Sequence, residues 1–101
     1  MRLTKAAIVK ILQENYPRLA SAYGVKRIGL FGSYASDRPA ESSDVDLVVE
    51  FERPIGFRFA ELAEDLERLL GRRVDLLTPA GIQGIRNERI ARSIAESTVY
   101  V

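Results

Sequence analysis

The stretch from Asp44 to Phe51 constrains the fold of this chain more than any other. Val45, Leu47, Val49 and Phe51 recur at every second position, and Asp44 and Asp46 stand between and before them. Side chains of a strand alternate between its two faces, so the segment predicts a β-strand with one apolar face and a pair of acids on the other. Such a strand needs neighbours to pair with and a layer to cover its apolar side.

Other segments supply both. Thr4 is a helix cap followed by Ile8, Ile11, Leu12, Leu19 and Tyr23 at helical spacing. Pro17 is expected to kink or split that helix, and Gly24 to close it. Val25 to Phe31 reads as a first strand, and Gly32 to Ser43 as a loop with room for one helical turn. Phe59, Leu62, Ala63, Leu66, Leu69 and Leu70 mark a core-facing helix that Gly71 stops. Arg72 to Leu77 is a short strand with Asp75 on its polar face. Thr78 and Pro79 then open a last helix carrying Ile82, Ile85, Ile90 and Ile94, and Thr98 to Val101 is a candidate final strand. The expected fold class is α+β, a small mixed β-sheet with helices packed on one side, in a single domain spanning residues 1–101.

Composition removes whole classes of chemistry. The chain has no Cys and no His, so thiolate nucleophiles, Cys/His zinc sites, disulfides and His general bases are all excluded. Any metal must be a hard cation held by oxygen, such as magnesium. Fifteen basic against fourteen acidic residues leave a net charge of +1, which is no footprint for nucleic acid or an anionic membrane. Gly81-Ile82-Gln83-Gly84 matches an RNA-binding Gly-x-x-Gly loop in letters, but that charge balance speaks against it. With no apolar run near bilayer length and no signal-like core at Met1 to Lys5, a cytoplasmic location is expected.

The acids carry the candidate chemistry. Asp44 and Asp46, at i and i+2 on a strand, have Cα atoms about 6.6 Å apart on one face. Two bare carboxylates so close repel each other, and a divalent cation removes the conflict. If the Arg72–Leu77 strand lies beside theirs, Asp75 completes a three-acid cluster able to hold two magnesium ions for an in-line phosphoryl displacement. Without His, Asp75 is also the best candidate base. Gly32 and Ser33, at the end of the first strand, form a candidate phosphate cradle in which glycine lets backbone approach a triphosphate. Neither a Walker A loop nor a Gly-x-Gly-x-x-Gly fingerprint is present.

The joint pattern resembles the signature of the DNA polymerase beta-like nucleotidyltransferase superfamily. The likeness runs through Ile28-Gly29-Leu30-Phe31-Gly32-Ser33-Tyr34-Ala35, Ser43-Asp44-Val45-Asp46-Leu47-Val48-Val49-Glu50-Phe51, and Leu69 to Pro79. Among its branches, the chain is most similar to minimal nucleotidyltransferase (MNT) antitoxins encoded beside HEPN-domain toxins. The resemblance implies the nucleotidyltransferase fold, ATP as co-substrate, and magnesium held by Asp44, Asp46 and Asp75. It further implies AMP transfer onto a tyrosine of a HEPN-type toxin. Relatives commonly carry Ala-Arg-Gly after the Gly-Ser-aromatic, whereas this chain has Ala35-Ser36-Asp37. Arg38 is the candidate to supply the displaced cation. An alternative role is a catalytically weak module that neutralises its partner by occlusion.

Overall fold

The computed structural model describes residues 3–36, 44–53, 56 and 58–101. The chain begins with α1 (Lys5–Tyr23), whose Thr4 hydroxyl accepts from the Ala7 N–H at 3.1 Å. Gly24 ends it at φ 71°, donating its N–H to the Ala20 carbonyl, so both expected caps are in place. Pro17, however, neither ends nor divides α1. Ile8 and Leu12 before it and Leu19 and Tyr23 after it are buried together, and that shared packing outweighs the one backbone bond a proline removes.

β1 (Val25–Phe31) leads into a single helical turn, α2 (Gly32–Ala35), and then, past residues 37–43, into β2 (Val45–Phe51). β2 is followed by α3 (Arg58–Leu70), β3 (Val74–Leu77), α4 (Pro79–Gln83), α5 (Glu88–Ser97) and a two-residue β4 (Val99–Tyr100). The last helix is thus two helices rather than one. Gly84 caps α4, and the Asn87 side chain starts α5 by accepting from the N–H groups of Arg89 and Ile90 at 3.0 and 3.2 Å. A residue that caps a new helix cannot sit comfortably in the middle of an old one.

The four strands form one mixed sheet in the order β3-β2-β1-β4. β1 pairs antiparallel with β2 and β4, and β2 pairs parallel with β3. A parallel pair needs a long crossover, which α3 provides. Val45, Leu47 and Val49 of β2 meet Ile8, Leu12 and Leu19 of α1 and Leu62 and Leu66 of α3 in the core, all fully buried. Burying side chains of this kind contributes roughly 1.5–3 kcal/mol apiece. α1 and α3 therefore cover the apolar face that the alternation in β2 defines.

One polar group lies inside that layer. Asp65 of α3 is buried, and Arg18 of α1 grips it with two N–H···O bonds of 2.8 and 3.0 Å. The Tyr23 hydroxyl donates a third bond at 3.0 Å. The Arg18 hydrogen bonds, with Tyr23 adding to them, hold the Asp65 carboxyl below the usual carboxylate range despite its burial. The pair pins α1 to α3 behind the sheet.

Candidate active site

The site grows out of the register of the sheet. Asp46 stands opposite Phe31 on β1 and opposite Asp75 on β3. Directly paired residues share a face, and adjacent strands lie about 4.8 Å apart, so Asp46 and Asp75 project side by side away from the core. Asp44 precedes β2, and the chain just beyond it is tied down because the Val45 N–H donates to the Arg73 carbonyl at 2.8 Å. Asp46 is half-buried, while Asp44 and Asp75 are exposed.

Gly32 closes the site from the β1 side. Its φ of 75° lies in the left-handed region, which glycine enters without steric cost. A Cβ here would collide with Asp46 Oδ2 and come within 2.9 Å of Asp46 Cγ. The Asp46 carboxylate therefore occupies the space that any other residue at position 32 would fill. Ser33 follows in the first turn of α2, half-buried. Asp44, Asp46, Asp75, Gly32 and Ser33 are thus gathered at one end of the sheet; Arg38 lies outside the described residues.

Burial first, and then the negative charges of Asp75 and Asp44, push the Asp46 carboxyl above the usual carboxylate range. None of the three acids meets a Lys or Arg in an ion pair among the described residues. Among those residues, too, no three acidic side chains close around a common point at metal-binding distance. Three like charges with no counter-charge repel rather than converge. The donor set, all carboxylate oxygen and partly desolvated, fits a hard divalent cation. Stability follows the same sign: a raised folded-state value favours folding at low pH, and that benefit is lost as the carboxyl ionises on going up. At neutral pH the desolvated Asp46 carboxylate therefore weighs against the fold.

Three residues not singled out by their spacing belong to this neighbourhood. Tyr34 is almost wholly buried, and its hydroxyl accepts from Arg72 Nε at 3.2 Å. Both fall within the family-like motif segments, but a contact across 38 residues has no periodicity to betray it. Glu67 is the other kind of omission: its Oε2 accepts from the Val74 N–H at 3.0 Å, seating β3 just ahead of Asp75.

Comparison with known proteins agrees with this geometry. The family model described as "Nucleotidyltransferase domain" matches residues 6–101. Protein adenylyltransferase MntA of Thermococcus cleftensis is 41% identical over 100 residues, covering 98% of this chain and 97% of that protein. A solved structure described as a minimal nucleotidyltransferase is 28% identical and superposes with a TM-score of 0.73, covering 97% of this chain and 96% of its own. The fold is shared as well with an MNT antitoxin solved in complex with a tri-AMPylated Shewanella oneidensis HEPN toxin. That match has 23% identity and a TM-score of 0.53, covering 95% of this chain and 66% of that one.

Proposed function

The chain belongs to the nucleotidyltransferase domain family, and from that premise we propose that it moves AMP from ATP onto a tyrosine hydroxyl of a HEPN-type partner, acting as its antitoxin. The observation that carries this reading is the pairing of Asp46 with Asp75 across β2 and β3, beside a glycine whose missing Cβ makes room for the Asp46 carboxylate. The T. cleftensis relative is named a protein adenylyltransferase, and the Shewanella antitoxin is bound to a HEPN toxin that carries AMP.

In this reading Asp44, Asp46 and Asp75 hold magnesium, which when bound neutralises charge on the triphosphate and on the departing pyrophosphate. Gly32 and Ser33 receive the phosphates, and Arg38 is the candidate to supply a cation for them. Asp75 takes the proton from the incoming tyrosine hydroxyl. The tyrosine oxygen forms a bond to the α-phosphorus, the bond from that phosphorus to the pyrophosphate oxygen breaks, and pyrophosphate leaves. A cytoplasmic location goes with this reading, because ATP and magnesium are available there.

Intact mass spectrometry of the HEPN-type partner, after incubation with this chain, ATP and magnesium, tests it. The expected result is a mass gain in whole units of AMP that disappears with the Asp44→Asn/Asp46→Asn variant. A stable complex without any mass gain would sink the transferase reading in favour of occlusion. The exposed Ser36, in the place where the family resemblance implies an arginine, would then be the residue to explain.

A further inference from the structure

Backbone bonds and the Glu67 carboxylate hold the turn between α3 and β3. Gly71 donates its N–H to the Glu67 carbonyl at 2.8 Å, and Val74 donates to Glu67 Oε2 at 3.0 Å. The Arg73 carbonyl accepts from Val45 at 2.8 Å. The residues on either side of Arg72 are therefore already partnered, and its side chain reaches from a fixed base.

What that side chain does is cross to α2. Its Nε donates to the Tyr34 hydroxyl at 3.2 Å, and the Tyr34 ring is only 2% exposed. Tyr34 follows Ser33 directly, and Arg72 stands three residues ahead of Asp75. The bond is thus a cross-tie between the turn that carries Gly32 and Ser33 and the strand that carries Asp75. Phenylalanine would fill the same apolar volume as tyrosine. The added hydroxyl is of use only with a partner, and a guanidinium is a charge-assisted one with directional N–H groups.

We propose that Arg72, acting through Tyr34, is a positioning residue for the nucleotide: the cross-tie sets the distance between the Gly32-Ser33 turn and the acids of β2 and β3. The proposal rests on the nucleotide-site reading given above. It predicts a coupling that neither core packing nor a direct phosphate contact by Arg72 would give.

The test is calorimetric binding of the non-hydrolysable analogue AMP-PNP, with magnesium, to the full chain and to Tyr34→Phe, Arg72→Met and the double variant. A partly buried hydrogen bond with a charged donor predicts binding about five- to tenfold weaker in each single variant. The double variant is expected to bind no more weakly than the weaker single one, since both remove the same bond. Melting temperatures should fall by no more than about 4–8 °C, the cost of one hydrogen bond with no core volume lost. Amide exchange at residues 32–36 should quicken in both single variants, which reports on α2 whether or not nucleotide is present. Affinities within about twofold of the parent in both single variants would overturn the proposal, and so would multiplying losses in the double variant. A loss confined to Arg72→Met would overturn it too, by showing that Arg72 does not act through Tyr34. A parent chain that binds no AMP-PNP would instead overturn the site reading beneath it, so the two failures are distinguishable.

Discussion

Gly32 shows how much a single position decides. Its backbone needs a positive φ, and the place of its absent Cβ is taken by Asp46. Gly24 makes a useful contrast, since it has φ 71° with nothing within 4 Å of an added Cβ. Alanine at Gly24 would meet only the backbone penalty, of order 1 kcal/mol. Alanine at Gly32 meets that penalty and also forces the Asp46 carboxylate aside. The expected outcome is a similar modest drop in melting temperature for Gly24→Ala with AMP transfer retained. Gly32→Ala should lose transfer by on the order of 10²-fold, the scale on which small displacements of reacting groups act. Paired thermal melts and transfer assays check this, and an active Gly32→Ala variant would contradict the crowding described here.

At the scale of elements, the joint between α1 and α3 rests on Arg18, Tyr23 and Asp65. The lowered Asp65 carboxyl gives the joint a definite pH sign. Its contribution is present above the unfolded carboxylate value, about 3.9, and is lost as pH falls through the lower folded value. Asp65→Asn should therefore destabilise the chain at pH 7 by about 1–2 kcal/mol, the range for hydrogen bonds to a charged group. Arg18 is about half exposed, so water solvates the guanidinium left behind and a larger loss is not expected. The variant should also show a shallower fall in urea midpoint below pH 4 than the parent. A midpoint unchanged at pH 7 would show that the joint adds nothing.

That joint and the acids of β2 and β3 lie on the two sides of one sheet, and their legibility in the sequence differs for the same reason. Asp46 interrupts an apolar alternation and so stands out. Asp65 falls among Leu62, Leu66 and Leu69 in a helix whose other charged residues, Glu67 apart, are exposed, and only a partner 47 residues away explains it. Pro17 misleads in the opposite sense, because a local rule about proline has no knowledge of the packing on both sides of it. Of the final isoleucines, Ile82, Ile90 and Ile94 are helical as expected, but Ile85 falls in the break between α4 and α5, since period alone does not reveal where Asn87 will cap.

For the whole molecule, the half-buried Asp46 beside two further carboxylates predicts a fold that gains from its ligands. A ligand that binds only the native state stabilises it by about 2.7 kcal/mol at a hundredfold excess over its Kd. For a domain of this size, 1 kcal/mol corresponds to roughly 4–8 °C in melting temperature. Magnesium with ATP should therefore raise the melting temperature by about 10 °C or more near saturation, and magnesium alone by much less. Differential scanning fluorimetry across an ATP series reads this directly. No shift with millimolar magnesium and any nucleoside triphosphate would count against the site as a whole.

The order of elements, the caps Thr4, Gly24 and Thr78, the apolar face of β2 and the acid pair on its other face were all determined by local sequence. Periodicity, glycine and capping side chains act over a few residues, and those are the distances a sequence displays. The pairing of Asp46 with Asp75, the seat of Gly32 against a carboxylate, the Arg72–Tyr34 tie and the burial of Asp65 were decided only by the tertiary structure. Each depends on strands and helices meeting in one register among several that the same local pattern allows. That choice is made by packing the shared core.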